Sequence, residues 1–170
     1  KIPESDRWNL FYTLAKCDDS ADSPRVFLSQ DVMPFDIDGI DHTREQDYIK
    51  YVCEVLNVLP TDIGIVASGN GFHFLIRIDS FNHVNYFKDT KVYYKAACSR
   101  INARLKEKGL SGSADTTAFE PRRIFRLPLT ENRKKDKPVK HCTLINEVLG
   151  ETDFSLRIAS GIDNIKAGSH

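Results

Sequence analysis

Between Val32 and Ile40 the sequence alternates with period two: Phe35 and Ile37 fall on one side, Asp36 and Asp38 on the other. A strand of that pattern has one buried face. The stretch therefore commits the chain to a sheet and puts two carboxylates on the same side of it. Tyr48, Val52, Val55, Leu56 and Leu59 then keep helical spacing. They predict a helix from Arg44 to Leu59, opened by a Thr43–Gln46 capping box and stopped by Pro60. Ile63 to Ala67 and Phe72 to Ile78 read as strands joined by a tight Gly69-Asn70-Gly71 turn. A second helix is predicted over Lys91–Lys108, with Asp89 or Thr90 as N-cap and Gly109 as terminator. Shorter strands are predicted at Arg25–Ser29, Ile124–Leu127 and Cys142–Val148. Residues 18–24 read as a loop, Trp8–Leu14 as a short helix or strand, and Phe154–Ile158 is left unassigned. The order strand, helix, hairpin, helix, strands predicts an α/β or α+β fold, a mixed or antiparallel sheet with helices packed on one face.

At 170 residues the chain is long enough for one domain with a real core, expected over residues 1–165. The last residues, 166–170, read as a tag or cloning remnant, and the absence of an initiator Met as a fragment of a larger protein or a processed end. No apolar run reaches the roughly 18 residues of a transmembrane helix, and the polar N-terminus is not a signal peptide. A cytoplasmic location is expected. Cys17, Cys53, Cys98 and Cys142 are far apart and form no CxxC pair, so they read as buried reduced thiols rather than a zinc site.

Four groups of residues carry chemistry. Asp36 and Asp38, at i and i+2 of a strand, point the same way about 6.5–7 Å apart. Carboxylates so placed can share divalent ions, and hard oxygen donors select Mg²⁺ or Mn²⁺. An unpaired buried carboxylate is costly, so a metal or an arginine is the natural partner; the plain alternative is an exposed polar strand face. In Ser68-Gly69-Asn70-Gly71-Phe72-His73 the glycines let backbone amides approach an anion, and His73 alternates off the apolar face; the plain alternative is an ordinary hairpin. Asp115-Thr116-Thr117 is a third carboxylate or simply an Asx turn. Arg126 is a charge within Ile124-Phe125-Arg126-Leu127, suited to bidentate phosphate contact or to a structural salt bridge with Asp36 or Asp115.

Charge is unevenly spread. The net charge is zero, yet residues 122–140 hold eight basic residues against two acidic ones, a local +6. A basic stripe opposite an acidic metal site suits a template–nucleotide cleft, although a charge run is also what a solvated loop carries.

Taken in order, these motifs resemble those of the archaeo-eukaryotic primase superfamily, in its phage- and plasmid-type primase–polymerase branch. The family's DxD matches Asp36 and Asp38. Its Ser/Gly-rich turn ending in His matches Ser68 to His73. Its later metal-binding Asp matches Asp115, followed by Phe125-Arg126-Leu127-Pro128 and by Thr130-Glu131-Asn132-Arg133-Lys134. The resemblance covers about residues 30 to 135. It implies an RRM-like catalytic core holding two Mg²⁺ or Mn²⁺ ions on Asp36, Asp38 and Asp115, with His73 in a catalytic role. Ser68, Gly69, Asn70, Gly71, His73, Arg126, Asn132 and Lys134 would bind the nucleotide. Arg122, Arg123, Arg133, Lys135 and Lys137 are expected along the nucleic acid. The implied partners are a single-stranded DNA template, a primer, NTP or dNTP, and a helicase or accessory helical domain in a longer protein. The family's zinc-binding insertion is missing, which favours primer extension over initiation.

Two other readings compete. A catalytically inactive replication-initiator module would use an RRM-like sheet to bind single strands through aromatics. A DxD nucleotide-sugar glycosyltransferase explains Asp36 and Asp38 but gives His73 and the basic stripe no role. A relaxase needs a His-x-His cluster, and His73 is flanked by Phe72 and Phe74.

Overall fold

The computed structural model describes residues 11–18, 26–81, 87–147 and 149–162. Its strands are β1 (Phe11–Thr13), β2 (Ala15–Asp18), β3 (Val26–Asp38), β4 (Gly64–Ala67), β5 (Gly71–Phe81), β6 (Ser113–Ala114), β7 (Ile124–Arg126), β8 (Glu131–Asn132), β9 (Lys140–His141) and β10 (Thr143–Asn146). The helices are α1 (Glu45–Leu56), α2 (Phe87–Glu107) and α3 (Leu156–Ser160). The fold is α+β. An antiparallel sheet runs β10-β4-β5-β3-β2, and β6 joins the C-terminal end of β3 on the edge that β2 occupies at its N-terminal end. Along the chain β3, α1, β4, β5, α2 and β6 form a β-α-β-β-α-β unit with spatial order β6-β3-β5-β4, the split, RRM-like arrangement.

Alternation decides which face meets the helices. Met33, Phe35 and Ile37 of β3 and Phe72, Phe74 and Ile76 of β5 are all fully buried, packed with Tyr48, Val52 and Leu56 of α1 and Tyr94, Ile101 and Leu105 of α2. Each such side chain contributes about 1.5–3 kcal/mol by leaving water. Tyr94 stacks on Phe35 with ring centroids 4.8 Å apart, and its hydroxyl donates to the Pro34 carbonyl at 2.6 Å. The opposite face of the sheet presents Asp36 and His73, beside a smaller apolar group of Val66, Leu75 and Cys142.

Several local expectations need correction. The predicted capping box is not used. Asp41 Oδ1 accepts from the Thr43 amide at 2.9 Å and the Thr43 hydroxyl at 2.7 Å, so a one-turn 3₁₀ segment precedes α1. α1 ends at Leu56 because Asn57 takes a left-handed conformation (φ 57°) whose amide caps Cys53 and Glu54. Leu59 therefore lies beyond the helix and is exposed. The segments expected as two strands, 25–29 and 32–40, run together as the single strand β3, which covers Val26–Asp38 and stops short of Gly39 and Ile40; Arg25 lies outside the described residues. Ser155 caps the short helix α3 across the unassigned stretch 154–158. Part of the N-terminal segment is β1, while residues 8–10 and 19–24 lie outside the described residues. Cys53, Cys98 and Cys142 are free and buried; the Cys17 side chain is not among those described. No helix among the described residues is long and apolar enough to cross a membrane.

Candidate active site

The pleat builds the site in two rows. Asp36 of β3 lies directly across from His73 of β5, which in turn faces Val66 of β4. One pleat on, Asp38 faces Gly71, whose carbonyl accepts from the Ser68 amide at 2.9 Å. The turn between Ser68 and Gly71 is as tight as its composition demands. Gly69 has φ +91°, and a Cβ there would sit 2.9 Å from that of Lys140. At Gly71 the constraint is space: a Cβ would lie 1.8 Å from the Ile37 carbonyl oxygen. Asp115 enters from the far edge of β3. Its amide donates to the Asp36 carbonyl at 2.8 Å, immediately after β6 pairs with Ile37 and Asp38.

Asp36 and His73 are each only 5% exposed, whereas Asp38 is exposed. His73 Nε2 stands 3.6 Å from Asp36 Oδ1, too far for a hydrogen bond. Asp36 Oδ1 and His73 Nδ1 are buried without hydrogen-bond partners. Burial, with help from Asp38, raises the Asp36 carboxyl to about 7, against the lowering effect of Arg123. Burial also lowers the His73 imidazole to about 4, reinforced by Arg123 and Arg126. His73 is therefore neutral near pH 7, and the pair is not a standing ion pair.

Arg123 completes the cluster. Its Nη2 lies 3.3 Å from Asp36 Oδ2 and also pairs with Asp115 Oδ2. Arg123, expected along the nucleic acid, is the arginine that bridges the two carboxylates, in the place for which the sequence also suggests Arg126. Strand parity is the reason. Phe125 is buried, with its ring 5.2 Å from that of His73, so Arg123 shares the inward side. Ile124 is exposed, and Arg126 lies on its side, stacked 4.7 Å over the Phe11 ring and donating to the Glu131 carbonyl at 3.2 Å. The parity of Ile124 and Phe125 is the signal that could have picked out Arg123.

Asp115 serves two functions at once. Its Oδ2 faces Arg123, while its Oδ1 accepts from the Thr117 amide at 2.8 Å and the Thr117 hydroxyl at 2.7 Å, the Asx turn foreseen as the plain alternative. Asn132 of β8 is buried and donates to the Ser68 carbonyl at 3.4 Å, its Oδ1 left without a partner. Asn70 accepts from Lys140 at 3.0 Å. Arg133 pairs with Glu131 at 2.6 Å, and Arg122, Lys134, Lys135 and Lys137 are exposed. Thus Asp36, Asp38, His73, Asp115 and the glycine turn gather at one end of the sheet, with Asn132 against the turn. The lysines lie in the turn between β8 and β9.

The donor chemistry suits a hard divalent cation: three carboxylates that influence one another, and a buried carboxylate oxygen with no partner. Among the described residues, no three His, Cys, Asp or Glu side chains are already gathered closely enough to hold an ion. No family model matches the chain, and no curated protein and no solved structure is significantly similar to it.

Proposed function

We propose that this domain is a template-directed nucleotidyl transferase, a DNA primase or polymerase that adds nucleotides from NTP or dNTP to a 3′-hydroxyl. The observation that carries the reading is the convergence of Asp36, His73 and Asp115 from three separate elements beside a glycine turn on one end of an RRM-like sheet. In this reading Asp36, Asp38 and Asp115 hold two Mg²⁺ or Mn²⁺ ions, which when bound activate the 3′-hydroxyl and neutralise triphosphate charge.

The chain's own residues supply the rest. His73, neutral and buried, donates an N–H to a phosphate oxygen at no cost in desolvating an imidazolium. Gly69 and Gly71 bring backbone close to the same anion, and Ser68 flanks it. Asn132 braces the turn from behind through the Ser68 carbonyl. Arg126 adds positive potential near His73, and Lys134, Lys135 and Lys137 with Arg122 track the nucleic-acid backbone. Preorganised groups of this kind stabilise charge developing on a transferring phosphoryl. A replicative role of this kind belongs in the cytoplasm, alongside a primer, a single-stranded template and a helicase or helical accessory domain.

The Arg123 bridge lends some support to the inactive binding module, because it already engages two of the three carboxylates. Template dependence separates the readings. A labelled dNTP or NTP should be incorporated only opposite its complementary base. Metal-independent binding of single strands without turnover, or hydrolysis of a sugar nucleotide without template, contradicts the proposal.

A further inference from the structure

Asp36 is held on one side only. Its Oδ2 meets the Arg123 guanidinium at 3.3 Å, while its Oδ1 and the neighbouring His73 Nδ1 are buried with no hydrogen-bond partner. The same guanidinium nitrogen also pairs with Asp115. Arg123 therefore sits between two carboxylates that the nucleotidyl-transfer reading gives to metal. Its own side chain is 35% exposed, and Phe125, two residues on, is buried at the middle of β7.

Resting on that reading, we propose that Arg123 is the resident counter-ion of the cation site. It holds Asp36 and Asp115 in the metal-free protein, and a divalent cation binds only by displacing it. Charge makes this a selective gate. Once both carboxyls are ionised, they and the one guanidinium keep a net negative charge. A monovalent ion would exchange one positive charge for another and give up directional charge-assisted hydrogen bonds. A divalent ion neutralises both carboxylates and finds in Asp36 Oδ1 an oxygen that nothing else uses. The guanidinium leaves toward solvent, since it is the exposed end of the cluster.

The test is Mn²⁺ binding to the whole chain, read as the loss of free-ion signal in electron paramagnetic resonance, in a background of Na⁺ or K⁺. Arg123→Gln should bind Mn²⁺ about tenfold more tightly than the wild type, the factor expected if the site is open about one-tenth of the time. Arg123→Lys keeps the charge but loses the fork, so it should shift the same way by a smaller factor. It decides the matter if the glutamine variant does not fold. Lys50→Gln on α1 removes the same charge elsewhere and should change nothing. Equal Mn²⁺ affinity in the wild type and the Arg123 variants, with binding lost in Asp36→Ala/Asp38→Ala, overturns the gate but leaves the carboxylates as metal ligands. Absence of Mn²⁺ binding in all of them overturns both the gate and the metal-dependent reading.

Discussion

Asp36 and His73 face each other across β3 and β5 with Oδ1 and Nε2 3.6 Å apart, and burial moves both toward their uncharged forms. The two shifts act on stability with opposite sign. The folded Asp36 carboxyl, raised to about 7, binds more protons than the unfolded one, so its contribution is present at low pH and is lost as pH rises through about 4 to 7. The folded imidazole, lowered to about 4, binds fewer protons than the unfolded one, so stability rises with pH from about 4 to 6.5. In the wild type these slopes oppose each other.

Removing either partner should expose the slope of the other. Urea unfolding of Asp36→Asn between pH 4.5 and 6.5 should show stability rising with pH. His73→Asn should show it falling over the same range. Identical slopes in the two variants would mean that the pair does not set the pH response.

The glycine turn makes a steric prediction. A Cβ at Gly71 would lie 1.8 Å from the Ile37 carbonyl oxygen, within the pairing that aligns Asp38 with the turn. Gly71→Ala should cost about 3 kcal/mol, the upper end for overpacking. Asn70→Ala loses only the Lys140 contact at 3.0 Å and should cost less than about 1 kcal/mol. Chemical denaturation midpoints of the two variants check the ordering.

Tyr48 ties the loops beside the site to α1. Its fully buried side chain donates to the Ser111 carbonyl at 2.8 Å and accepts from the Asp41 amide at 3.0 Å. Tyr48→Phe leaves both backbone groups without that partner and should destabilise by about 1–2 kcal/mol, measurable as a lowered unfolding midpoint.

Leu129 holds a left-handed backbone (φ +66°) and is 77% exposed, in the loop between Arg126 and Asn132. A leucine there carries the left-handed penalty and buries little in return. Leu129→Asn should raise stability by roughly 0.5–1 kcal/mol, because Asn tolerates this region without the unfolded-state entropy of Gly. A lowered midpoint would show that the side chain makes contacts that outweigh the strain.

The fold was legible wherever periodicity was strong. The alternation through Phe35 and Ile37, the helical spacing of Tyr48, Val52, Val55 and Leu56 and the Gly69–Gly71 turn all fall where their patterns put them, because each is decided by near neighbours in sequence. The failures were also local in cause. Thr43 reads as a cap, but Asp41 two residues earlier binds its hydroxyl and amide. Helix α1 ends at Asn57, ahead of the proline that marked its stop, because Asn adopts the left-handed cap readily. The site was legible as a set of residue types. The parity of Ile124 and Phe125 marks Arg123 as inward-facing; what the sequence did not convey was that β7, which pairs with β1, would bring that side chain against Asp36 and Asp115, a long-range placement that no local pattern encodes. Nor did it show that Asp36 and His73 would share one row of the sheet, which requires the β3–β5 register.

The measurement that tests the account most directly is extension of a labelled primer on a single-stranded template, with dNTPs or NTPs and Mg²⁺ or Mn²⁺. Wild type, Asp36→Ala/Asp38→Ala and Asp115→Ala would be compared side by side. The account predicts metal-dependent extension by the wild type and a loss of about a hundredfold or more in each carboxylate variant, as removal of several kcal/mol of metal-assisted stabilisation implies. Folded wild-type protein that extends no primer under any of these conditions, or an Asp36→Ala/Asp38→Ala variant that extends as fast as the wild type, would contradict it.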